Sequence, residues 1–113
     1  MFTSLPEITV DQLATLLQEE GDRQFVDVRE PHELELAQLE GFTNLPLSQH
    51  GEWSTDIHSR LDANKETLVL CHHGMRSAQM CQWLISQGFT NVKNVTGGID
   101  AYSCAVDAAV PRY

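Results

Sequence analysis

Thr67-Leu68-Val69-Leu70-Cys71-His72-His73-Gly74-Met75-Arg76-Ser77 is the stretch on which the fold turns. Polar Asn64-Lys65-Glu66 lead into an unbroken apolar run, the pattern of a central strand covered on both faces. From Ser77 to Gln87, residues Ala78, Cys81, Leu84 and Ile85 recur at helical spacing, and Gly88 supplies a stop. A buried strand therefore delivers the chain to Cys71, and a helix opens just beyond a tight loop. In open α/β sheets ligands bind beyond the carboxyl ends of the strands, so the segment His72 to Arg76 stands where a site is expected.

Outward from this unit the same grammar repeats. Thr9-Val10-Asp11-Gln12 fits a capping box, followed by Leu13, Leu16 and Leu17 at helical spacing and by Gly21 as a stop. Phe25-Val26-Asp27-Val28 is a β-prone run, and Pro31 suits the first position of a helix holding Leu34 and Leu36. Gly41 to Leu47 reads as a turn with a short extended piece, and Thr55 to Leu61 as a helix. Val92 to Val95 gives another strand, Gly97-Gly98 a turn, and Ile99 to Ser103 a last short helix. Alternating strands and helices predict an α/β fold with a mostly parallel sheet.

With 113 residues and 42% apolar content, one domain over 1–113 is expected, its core at about 8–105 and a tail at 106–113. No stretch is long and apolar enough for a membrane span, and the start, Met1 to Glu7, lacks the basic-then-apolar pattern of a targeting signal. The expected location is the cytoplasm. A net charge of −9, from 16 acidic against 7 basic side chains, opposes nucleic acid and anionic membrane as partners. Three cysteines, Cys71, Cys81 and Cys104, make a poor disulfide framework and are expected as thiols.

Gly74 frees the loop to curl, so successive N–H groups of His72, His73, Gly74, Met75 and Arg76 would point inward. Such a nest, with the helix N-terminus and the Arg76 cation beside it, stabilises a thiolate and makes it nucleophilic. Cys71 is the candidate nucleophile. His72 and His73 would add hydrogen bonds or titratable charge, one ring toward the pocket and one away. A bare cysteine at a strand end is usually packing, but one followed by two histidines, glycine, arginine and serine is not. Metal is not expected, because adjacent histidines cannot easily share one ion and no spaced ligand pair accompanies them. No cofactor is implied.

Cys71-His72-His73-Gly74-Met75-Arg76-Ser77 resembles the active-site loop of single-domain rhodaneses. Asp27-Val28-Arg29-Glu30 with His32-Glu33 is similar to that family's first signature, and Gly97-Gly98-Ile99-Asp100-Ala101-Tyr102 to its closing one. The resemblance covers about Ile8 to Tyr102 and implies a five-stranded parallel sheet with helices on both faces. It implies a sulfurtransferase in which Cys71 takes sulfur from thiosulfate or a persulfide donor and passes it to cyanide or a thiol. A protein sulfur carrier is a compatible acceptor. Loop amides would hold the persulfide, Arg76 would assist an anionic donor, and Ser77, Asp27 and Arg29 would support the loop. Asp27 and Arg29 read as a structural ion pair at a strand end. One departure is Ala37-Gln38-Leu39-Glu40-Gly41-Phe42, where many members carry Gly-His-Ile before a Gly-Ala turn.

Two other readings compete. A cysteine phosphatase or arsenate reductase would resemble this loop but needs one residue more than the four between Cys71 and Arg76. A non-catalytic module that binds partners or senses oxidants would keep the fold, yet such modules often lack the cysteine. Cys81 reads as core packing, with a resolving thiol as the alternative, and Cys104 as exposed. Trp53, Trp83, Phe25, Phe42 and Phe89 read as core or rim aromatics. His32, His50 and His58 read as surface residues, and Glu33, Glu35 and Glu40 as a solvated acidic face open to a basic partner.

Overall fold

Residue alternation along the central strand decides how the layers form. Leu68 and Leu70 pack to one side with Ile8, Val10, Leu13, Val95 and Ile99, while Val69 and Cys71 join Val26, Val28, Trp53, Ile57, Met80, Leu84 and Phe89 on the other. With both faces of the strand covered, all of Leu68, Val69 and Leu70 are fully buried. Each such side chain contributes about 1.5–3 kcal/mol relative to exposure.

The computed structural model describes residues 5–113, and the reading of Met1 to Ser4 as free of a targeting signal lies outside the described residues. Strands β1 (Glu7–Ile8), β2 (Arg23–Asp27), β3 (Thr43–Asn44), β4 (Glu66–Leu70) and β5 (Val92–Val95) form one sheet in the order β1-β5-β4-β2-β3. Every pairing is parallel, with Asp27 opposite Leu70 and Val69 opposite Asn94. Helices α1 (Val10–Gln18) and α6 (Gly98–Ala105) lie on the Leu68 side, and α5 (Met75–Ser86) on the Val69 side. The five-stranded α/β architecture expected from the sequence is what forms.

Local signals explain the elements. Thr9 and Gln12 close the capping box of α1 at 3.1 and 2.9 Å, and Pro31 opens α2 (Pro31–Leu36). Most boundaries shift by a residue or two, and two departures reposition side chains. Helix α5 begins at Met75 rather than Ser77, because Gly74 takes a left-handed turn (φ 101°) and places Arg76 in the first helical turn. The helix expected over Thr55 to Leu61 is broken into α3 (His50–Trp53), a 3-10 turn (Ser54–Asp56) and α4 (Ile57–Arg60), which turn Trp53 and Ile57 into the core. Among the described residues no helix is long and apolar enough to cross a membrane.

Candidate functional site

Strand β4 ends on Leu70, and Cys71 follows it with 1% of its surface exposed. The loop then folds back so that the Gly74 N–H donates to Cys71 Sγ at 3.0 Å, and Ser77 Oγ lies 3.2 Å from the same sulfur. The sulfur thus faces a backbone donor and the amino-terminal turn of α5, both of which favour negative charge, with a hydroxyl beside it.

A second brace comes from α6. Ile99 N–H donates to the Cys71 carbonyl at 2.9 Å and Asp100 N–H to the His72 carbonyl at 3.1 Å, so two orphan donors of a helix start hold the outgoing loop. Gly98 permits the approach, for a Cβ there would lie 2.4 Å from both carbonyl oxygens, at a φ of +63°. The Gly97-Gly98 pair is therefore the seat of the cysteine loop.

Beside the loop runs a chain of charges. Asp27, at the end of β2, holds Arg29 through Nη2 at 2.7 Å and Nε at 3.0 Å, with Arg29 wholly buried. Arg29 Nη1 also donates to the Glu33 carbonyl at 3.2 Å and to Tyr113 Oη at 2.9 Å. Burial works to lower the Arg29 guanidinium, but Asp27 and Tyr113 outweigh it and raise it. Glu33 grips Arg76 with both oxygens, at 2.7 and 2.8 Å, and accepts from Tyr113 O–H at 3.1 Å. The Arg76 guanidinium, opposed by burial, draws the Glu33 carboxyl down to about 2, and Glu33 in turn raises Arg76. Arg76 is thus anchored sideways by Glu33 within reach of the loop's field.

A cysteine sulfur at a strand end, met by the Gly74 N–H and seated on a Gly-Gly helix start, unites three separate motifs. Residues 9–105 match the Rhodanese-like domain family. The chain belongs to that family. It is similar over 110 residues, at 48% identity, to the Rhodanese-like/PpiC domain-containing protein 12, chloroplastic, of Arabidopsis thaliana, covering 95% of this chain and 37% of that protein. It is 30% identical over 92 residues to the thiosulfate sulfurtransferase GlpE of Vibrio cholerae serotype O1, covering 79% of this chain and 80% of that one. The putative sulfur carrier protein YrkF of Bacillus subtilis is 30% identical over 97 residues, 86% of this chain and half of YrkF. The chain thus spans only part of several curated relatives. Among solved structures, a rhodanese-like domain protein from Staphylococcus aureus superposes with a TM-score of 0.77 at 26% identity, over 96% of this chain and 99% of that one. Sulfur transfer is the chemistry at family level.

Several residues of this rhodanese stand elsewhere than expected. The rings of His72 and His73 do not diverge but lie 3.9 Å apart, and Tyr113 stacks on His72 at 3.9 Å and 5°. Burial, then the neighbouring His73, lowers His72, whose buried Nε2 has no hydrogen-bond partner among the described residues. Met75 points outward, 76% exposed. Glu33 does not belong to a solvated face: it is buried against Arg76, while Glu35 and Glu40 are exposed. His50 is half-buried, its ring edge-on to Trp53 and Trp83 at 4.8 Å. Cys81 is fully buried, its thiol pushed up to about 12 by burial and then by Cys71, and Cys104 is exposed. A cavity of about 450 Å³ lined by Leu5, Phe89 and Val92 opens at the start of β5, the far end of the sheet from Cys71. Asn94 and Tyr113 went unrecognised from the sequence. A polar residue before the Gly-Gly pair was the available signal for the first.

Proposed function

We propose that this rhodanese is a sulfurtransferase that carries sulfane sulfur as a persulfide on Cys71. The single observation behind this is Cys71 Sγ at the end of β4, accepting the Gly74 N–H inside a loop whose carbonyls are tied to α6. The Cys71 thiolate attacks the outer sulfur of thiosulfate or of a small persulfide. The new Cys71 S–S bond forms as the donor's S–S bond breaks, and sulfite or a thiolate leaves with the electron pair. An acceptor, cyanide or a thiol, then takes the outer sulfur and returns Cys71 as thiolate. Backbone N–H groups between His72 and Arg76 cradle the added sulfur, and Arg76 supplies positive potential toward an anionic donor. Ser77 faces the sulfur, while Asp27 and Arg29 fix the end of β2 against the loop.

Engagement of Arg76 by Glu33 favours one second reading, a module that binds a partner or senses oxidants through the same thiol. Both are tested by incubating the reduced protein with thiosulfate or a persulfide, recording its intact mass, then adding cyanide and assaying thiocyanate. Gain of one sulfur by the wild type and none by Cys71→Ser, discharged as thiocyanate forms, is expected. A folded protein that takes up no sulfur from either donor refutes the sulfurtransferase in favour of the module.

A further inference from the structure

Asn94, on β5, settles the direction of the hydrogen bonds around the sulfur. The Gly74 carbonyl can only accept, so the Asn94 amide nitrogen donates to it at 3.0 Å, and the amide oxygen is the atom turned to Ser77. That oxygen can only accept, so the Ser77 hydroxyl donates to Asn94, at 2.5 Å. A hydroxyl has one proton. Toward Cys71 Sγ, 3.2 Å away, Ser77 therefore presents a lone pair. This arrangement suits a thiol, whose S–H can donate to that lone pair, leaves the uncharged inner sulfur of a persulfide without a bond from Ser77, and opposes a thiolate. All three residues are buried, so bulk water does not readily replace a lost partner.

We infer that Asn94 is a positioning residue that holds the Ser77 proton while the Cys71 sulfur is neutral and yields it when the sulfur becomes anionic. This role deepens the sulfurtransferase reading and rests on it for the catalytic cycle. There the sulfur is anionic before loading and again as it leaves the departing sulfur atom. At each of those points the Ser77 hydroxyl turns from Asn94 to Sγ; when sulfur is loaded, it turns back. The rotation needs no co-reactant, since the proton stays on Ser77 throughout.

Other groups act on the same sulfur. Arg76 and Cys81, both on α5, interact with it electrostatically, and α6 meets the loop carbonyls with the N–H groups of Ile99 and Asp100. Val26, Val28 and Met80 share its hydrophobic cluster. The Gly74 carbonyl also accepts from Ala78 N–H at 3.3 Å, so the first turn of α5 keeps a tie when Asn94 is removed.

The test is the rate of Cys71 alkylation by iodoacetamide across pH, read by peptide mass in the wild type, Asn94→Ala, Ser77→Ala and the double variant. Removing Asn94 leaves the Ser77 proton no acceptor but sulfur, so the midpoint of the profile falls by about 0.5–1 pH unit. Ser77→Ala raises it, and in that background Asn94→Ala moves it by less than half as much. Asn94→Leu, close in volume and without either polar group, gives the same pattern should the smaller side chain compromise folding. No shift, an upward shift, or an equal shift in both backgrounds overturns the role, the last because Asn94 would then act through Gly74 alone. Alkylation does not require sulfur transfer. A coupled pair in a protein that loads no sulfur would refute the sulfurtransferase and leave the hydroxyl switch standing.

Discussion

Replacing Glu33 with glutamine isolates the charge that anchors Arg76. The carboxylate is 8% exposed, takes two guanidinium nitrogens at 2.7 and 2.8 Å, and accepts the Glu30 N–H at 2.9 Å. Its descent from an ordinary 4.5 to about 2 corresponds to about 3 kcal/mol of folding stability. Because the folded value is the lower one, that stability is present in full above roughly pH 5 and is lost as pH falls toward 2. At pH 3 about 1 kcal/mol of it remains. Glutamine has no such titration, and Arg76 stays charged throughout, so loss of its partner adds only a constant offset. Urea unfolding of wild type and Glu33→Gln at pH 5, 4 and 3 should therefore show a stability gap that narrows by about 2 kcal/mol over that range. A gap constant with pH would show that the Glu33 carboxyl is not held down by Arg76, and would refute the anchoring described for the loop's cation.

Arg29→Ala should cost about 3–5 kcal/mol in the same assay, since it strands Asp27 as a buried charge and releases Tyr113, whereas Arg60→Ala, whose partner Asp56 is exposed, should cost under about 1 kcal/mol. Equal losses would remove the distinction. Gly98→Ala should destabilise by at least about 2 kcal/mol, through a Cβ driven into the carbonyls of Cys71 and His72 at an unfavourable φ, while Gly51→Ala, with open space around it, should change stability by less than about 1 kcal/mol. Thermal unfolding of both variants checks the contrast, and a neutral Gly98→Ala would mean that the loop does not rest on α6.

Much of the fold was legible because its signals are local. The capping box at Thr9, the proline at position 31 and the apolar run into Cys71 each declare an element by nearest-neighbour chemistry. The start of α5 was not, because exposed Met75 and Arg76 carry no apolar period, and only the backbone of Gly74 marks the turn. Sheet order was likewise hidden, since the pairing of β1 with β5 joins the two ends of the chain. The candidate cysteine stood out in sequence, whereas its surroundings depend on long-range meetings. Glu33 and Arg76 are separated by 43 positions, Ser77 and Asn94 by 17, and Arg29 and Tyr113 by 84. A carboxylate in an acid-rich helix reads as solvated until such a partner is known.

The loop around Cys71 is framed by main-chain atoms, the Gly74 amide on the sulfur and the carbonyls of residues 71 and 72 on α6, together with the buried side chains of Ser77 and Asn94. Exposed Met75 and His73 make none of these contacts, whereas His72 is tied in through its carbonyl and stacks its ring on Tyr113. Exchanges at positions 73 and 75 are therefore expected to leave the position of the sulfur little changed, as interchangeable heads on one fixed socket.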